Sequence, residues 1–144
     1  MIKKGLVVSI LLLFTGLACT IPFYFESQSM FYKTGIDKFA LRTGKILGIL
    51  AVILMAVQVI LIARFKWLEK TFSMRTFFSM HRKNGILILI LVLLHPLLIL
   101  GADHFVFFPL EKKYWPEFVG AGALMMLVIF IIASVWQKKT GLSY

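Results

Sequence analysis

Four separate stretches of this 144-residue chain each stay apolar for about 20 residues, the length a helix needs to cross a hydrocarbon core roughly 30 Å thick. They run from Gly5 to about Phe25, from about Thr43 to Ala63, from Gly85 to about Ala102 and from about Pro116 to Trp136. Inside lipid every backbone N–H and C=O must be satisfied within the protein, so runs of this length are read as helices. The sequence therefore predicts an all-α fold, a polytopic membrane helical bundle with about four transmembrane helices. Apolar residues make up 60% of the chain, against about 45–50% in soluble domains. The polar stretches between the runs are too short to bury a core of their own.

The formal net charge is +10. In a soluble chain this would raise nucleic acid as a partner. Here Lys and Arg gather at the ends of the apolar runs, so the expected partner is the lipid bilayer, not nucleic acid. With the N-terminus inside, ten cationic residues (Lys3, Lys4, Arg64, Lys66, Lys70, Arg75, Arg82, Lys83, Lys138, Lys139) face the cytoplasm, and six (Lys33, Lys38, Arg42, Lys45, Lys112, Lys113) lie outside. The positive-inside rule then predicts a multi-pass protein of the cell membrane with both termini cytoplasmic. Trp67, Trp136, Tyr114 and Trp115 fall where aromatic anchors sit at the two interfaces. The mixed aromatic and basic segment Phe65–Met80 reads either as a stretch lying in the cytoplasmic headgroup layer or as a solvated basic loop. The first run also has the outline of a cleavable signal peptide, which would leave the other three helices unchanged. Cys19 is the single cysteine, so neither an internal disulfide nor a Cys-rich metal site is expected.

The chemistry-bearing residues are the histidines. His81 stands at the start of the third run, His95 within it, and His104 follows Asp103 in the next connection. Fourteen residues at about 100° each fall about 40° short of four turns, so His81 and His95 leave the helix on nearly one face, about 21 Å apart along the axis. An ionisable side chain within a span is a functional hypothesis by default, and neutral imidazole is a common iron ligand. Two imidazoles on one face at two depths suit two haems stacked across the membrane. Arg82 and Lys83 could meet the inner propionates, and Gly85, one turn above His81, would let a haem edge approach the backbone. Each feature has a plainer alternative: an interfacial residue for His81, a helix–helix hydrogen bond for His95, topology signals for Arg82 and Lys83, a packing role for Gly85. Pro96 either kinks the helix around the outer site or is an ordinary membrane-helix proline. His104 reads as a loop residue.

The stretch from Leu41 to Leu100, with Gly48 and Gln58 ahead of Ala63-Arg64, then Trp67-Leu68-Glu69, His81-Arg82, Gly85 and His95, resembles the ferric reductase-like transmembrane domain of ferric reductases, NADPH oxidases and bacterial flavocytochrome relatives. The resemblance extends through the fourth run to Tyr144. It divides the chain into residues 1–40, a first transmembrane helix and outer loop, and residues 41–144, a partial haem-binding domain. It implies two b-type haems, with His81 ligating the inner iron and His95 the outer, and electrons passing outward from a cytoplasmic flavin and NAD(P)H donor. In that family a second histidine pair follows the segment corresponding to Lys138-Lys139. The expectation is thus that each haem takes its second histidine from elsewhere: a further histidine-bearing helix, or a homodimer mate. FAD and NAD(P)H would enter only through a flavin reductase domain or partner. The function expected is a membrane component of a haem-dependent electron-transfer oxidoreductase. The alternatives are a non-haem structural, interaction or transport subunit, or an inactive fragment of such a reductase.

Overall fold

The computed structural model describes residues 4–26, 28–63, 66, 73–106 and 111–140. These residues are helical nearly throughout, and none of them forms a strand. We number the helices α1 (Lys4–Tyr24), α2 (Gln28–Phe31), α3 (Gly35–Ala63), α4 (Met74–Ala102) and α5 (Trp115–Thr140), the last preceded by a single 3₁₀ turn, Lys112–Tyr114. Helices α1, α3 and α4 are each long and apolar enough to cross a bilayer, and the apolar part of α5 described runs from Trp115 to Phe130. The fold is thus the all-α membrane type that the four apolar runs demand.

Two helices begin well before their apolar runs. Helix α3 starts at Gly35, which takes a left-handed φ of 58°, eight residues ahead of the apolar boundary at Thr43. Helix α4 starts at Met74, eleven residues ahead of Gly85. Apolar content marks only the portion that meets hydrocarbon, whereas a helix continues wherever its polar side chains find water or partners. The N-terminus of α4 is capped by Ser73, whose Oγ accepts from the Thr76 backbone N–H at 3.4 Å, satisfying one orphan donor. The mixed segment Phe65–Met80 is therefore helical over Met74–Met80. Trp67, Leu68, Lys70 and Phe72 lie outside the described residues.

The chain forms two compact units, Met1–Phe105 and Val106–Tyr144. In the first, α3 and α4 make the principal pairing and α1 packs on α3. The α3–α4 pair is closed near each end by an apolar cluster. Met30, Leu41 and Ala102 are buried together with Ala40 and Ile99 against them, and Leu61, Phe77 and Val57 meet at the opposite end. Elsewhere the large apolar side chains point outward: Leu12 and Leu13 are each 66% exposed. That inversion of the soluble pattern is stable only where lipid covers the surface. Thr15 and Thr20 return their hydroxyls to the Leu11 and Leu17 carbonyls at 2.8 and 2.7 Å, so neither presents an unsatisfied O–H to lipid.

Charged residues collect where α3 begins and α4 ends. Lys33 pairs with Asp103 at 2.8 Å and donates to the carbonyl of Ala102, covering one of the last carbonyls of α4. Glu26 accepts from Lys38 at 3.1 Å and from Arg42, and the Arg42 guanidinium lies 4.7 Å from the centre of the Phe23 ring. The Lys38 ammonium, and after it Arg42, hold the Glu26 carboxyl below its ordinary range. In the second unit, Tyr114 N–H donates to Glu111 at 3.0 Å as the chain enters α5.

Candidate functional site: two histidines on the α3–α4 interface

Helices α3 and α4 approach closely because small residues face the contact. A methyl placed on Gly44 would stand 3.0 Å from Ile99 Cγ1 and 3.2 Å from Leu98 Cβ, and Ala51, further along, is buried. Only residues without bulk allow helices this near. Into this seam both intramembrane histidines project. His95 Nδ1 lies 2.7 Å from the carbonyl oxygen of Gly44, and its ring rests on Gly48, where an added methyl would meet ring atoms at 2.8 Å. His81 is met by Gln58, whose Nε2 stands 3.3 Å from His81 Nε2 and 3.0 Å from the His81 carbonyl oxygen. The two rings therefore share one face of α4, as their spacing predicts.

A polar network surrounds His81. Asn84 Nδ2 donates to the Leu54 carbonyl at 2.9 Å and to Gln58 Oε1 at 2.7 Å. A carbonyl oxygen can only accept, so Leu54 and His81 between them fix which end of each amide faces where. Gln58 presents N–H groups to His81, and Asn84 presents its own to Gln58. Gln58 stands out in the sequence, whereas Asn84 does not. The available signal was its position three residues after His81, which puts both on one helical face.

The remaining expected residues are placed as follows. Arg82 and Lys83 are exposed beside His81. The bare side of Gly85 faces Gln58, whose Nε2 lies 3.4 Å from a methyl built there. Pro96 lies within a continuous α4. His104 sits past the C-cap with φ 51°, is 79% exposed, and approaches Asp37 at 3.6 Å. It is a loop residue, as expected, and not part of the seam. Among the described residues no three metal-ligating side chains converge; His81 and His95 stand as single imidazoles at separate positions along α4.

The donor set suits axial ligation of that kind. A metal-binding histidine commonly donates its second ring N–H to a backbone carbonyl, which orients the ring and raises its basicity. The Gly44 carbonyl gives His95 that partner, and in the neutral ring Nε2 is then the lone-pair atom. The contact at Gly44 is too tight to admit a macrocycle between α3 and α4 at that point.

A multi-pass helical membrane protein whose paired helices carry interior histidines at two depths belongs to a small range of classes, and the comparisons fix which. Residues 47–144 match the family model described as ferric reductase like transmembrane component, and the chain belongs to that family. No curated protein and no solved structure matches it. The match begins one residue before Gly48 and takes in Gln58, His81, Asn84 and His95. On this ground the chain is a membrane component of the oxidoreductase type.

Proposed function

We propose that the chain is the haem-carrying membrane part of an electron-transfer oxidoreductase, with His81 and His95 each supplying one axial imidazole. The observation that carries this reading is the His95 Nδ1 to Gly44 carbonyl contact, which holds the ring of the deeper histidine with its other nitrogen available as a ligand. Bound haem would supply reversible one-electron chemistry at two depths. The protein's own residues fix ring orientation, exclude water from the seam and surround the site with apolar helix surface. Arg82 and Lys83, exposed beside His81, are placed to pair with carboxylates on that side. The second imidazole of each pair comes from a further helix or from a second copy. In the latter case a two-fold axis along the membrane normal would bring like residues to like depths. The electron donor is a cytoplasmic flavin protein fed by NAD(P)H, and both termini of the chain face that compartment in the cell membrane.

The test is to purify the full chain in detergent with iron protoporphyrin supplied and record reduced-minus-oxidised spectra. Reducible b-type bands that weaken in both His81→Ala and His95→Ala support the proposal. Their lack in the wild-type chain refutes ligation completed by a second copy, and bands unchanged in both variants refute the proposal. A second reading rests on the same contacts: the histidines only join α3 to α4. It predicts no bound haem and a lower melting temperature in His95→Ala.

A further inference from the structure

The two histidines are not equally ready to bind a metal. Both carry a lone pair on Nε2, for different reasons. The partner of His95 is a carbonyl oxygen, which only accepts, so Nδ1 donates, and in the neutral ring Nε2 is then the lone-pair atom. Around His81 two carbonyls orient the amides. Asn84 must donate to the Leu54 carbonyl, and Gln58 must donate to the His81 carbonyl. The Gln58 amide nitrogen has two hydrogens, and its second is directed at His81 Nε2. That atom must accept, so the proton of His81 also resides on Nδ1. The same tautomer is reached at both depths. At His95 the ligating atom has no hydrogen-bond partner among the described residues, while at His81 it is covered by an amide N–H.

We propose that Gln58 is a positioning residue that caps the His81 lone pair and so sets the order in which the two sites fill. Resting on the haem reading above, the His95 site loads first. The His81 site loads only when the hydrogen bond from Gln58 Nε2 to His81 Nε2 breaks and an iron–Nε2 bond takes its place. Asn84 holds Gln58 in the capping position through Oε1 at 2.7 Å, and Gly85 leaves the room in which the amide sits. The amide need not leave the cluster when displaced, because its hydrogen bond to the His81 carbonyl does not use the ring.

The experiment uses the full chain in lipid nanodiscs. Nitrogen-15 spectra of the haem-free protein with labelled histidine report the tautomer directly. Both rings are expected to be protonated at Nδ1, and Gln58→Glu, which offers an acceptor where an N–H stood, should move the His81 proton to Nε2. Titration with iron protoporphyrin should then show two steps, the tighter lost in His95→Ala and the weaker in His81→Ala. Gln58→Met, similar in length but without a donor, should tighten the second step about 3- to 10-fold, the scale of one hydrogen bond, and leave the first unchanged. A wild-type His81 protonated at Nε2, or a second step unmoved by Gln58→Met, overturns the proposal while leaving haem binding intact. If no haem binds to any variant, the loading order on this chain is overturned, whatever the tautomers, and so is haem ligation completed by a second copy.

Discussion

His95 Nδ1 stands 2.7 Å from the Gly44 carbonyl oxygen, a hydrogen bond from a side chain on α4 to the backbone of α3. In a continuous helix the Gly44 carbonyl already accepts from the amide four residues on, so the imidazole uses its second lone pair. The contact exists because positions 44 and 48 carry no side chain. Gly48→Ala should be a sharp probe of it. Its methyl would stand 2.8 Å from the ring, and an imidazole wedged between two helices has little freedom to retreat. We expect a loss of about 1–3 kcal/mol of stability, the usual cost of overpacking, read as a lower melting temperature in detergent. The His95 haem step should weaken while the His81 step is retained.

The amide pair offers a double-mutant test. Asn84→Ala removes donors to Leu54 and Gln58 together, and Gln58→Ala removes the partner of both Asn84 and His81. Each change should destabilise the chain by about 1–3 kcal/mol, because it leaves interior polar groups unpaired. Measured as a thermodynamic cycle by denaturation in mixed micelles, the pair should couple by about 0.5–3 kcal/mol. Additive effects would show that the amides do not act as one unit.

Acid should weaken the charged end of the bundle. Glu26 has a folded-state pKa lowered by Lys38 and then Arg42. A lowered carboxyl contributes stability above its unfolded value of about 4.3, and that contribution is lost as pH falls through the lowered folded value. The melting temperature should thus change little from neutral pH down to about 5, then fall. In Glu26→Gln it should be lower at neutral pH and show a shallower decline in acid.

Lys33 ties the segment before α3 to the end of α4, through Asp103 at 2.8 Å and the Ala102 carbonyl. Lys33→Met keeps the aliphatic stem but loses both bonds. The expected cost is about 1 kcal/mol, typical of a partly exposed charge-assisted bond. Amide hydrogen exchange should rise first at residues 100–105, where the turn places His104 and Phe105 at positive φ.

How much of this was legible beforehand depends on the physics that fixed each feature. The four long helices follow from apolar run length, since a bilayer admits few alternatives; the short helix α2 (Gln28–Phe31) does not. The shared face of His81 and His95 follows from helical period alone. Helix starts were misjudged, at Gly35 and Met74, because ion pairs and caps extend helices past the apolar boundary. The face of α3 that meets the histidines could not be found from hydrophobicity. Helix α3 is apolar nearly all round, so its packing face is marked by Gly44, Gly48 and Ala51, a scarcity of bulk and not an abundance of apolar residues. Asn84 stayed hidden between Lys83 and Gly85, where an amide reads as the polar edge of a span.

Gly44 and Gln58 are fourteen residues apart, and so are His81 and His95. Because the helices run in opposite directions, the pairs interlock like two marks on a pair of facing rulers. Sliding α3 along α4 by one turn, about 5.4 Å, would put both rings out of register together, and neither could keep its partner at the expense of the other. A single residue inserted between Gly48 and Gln58 would do something different. It would swing one mark by about 100° and leave the other in place. The seam is therefore a gauge of depth as well as a joint, and it holds the two histidines at a set interval across the membrane.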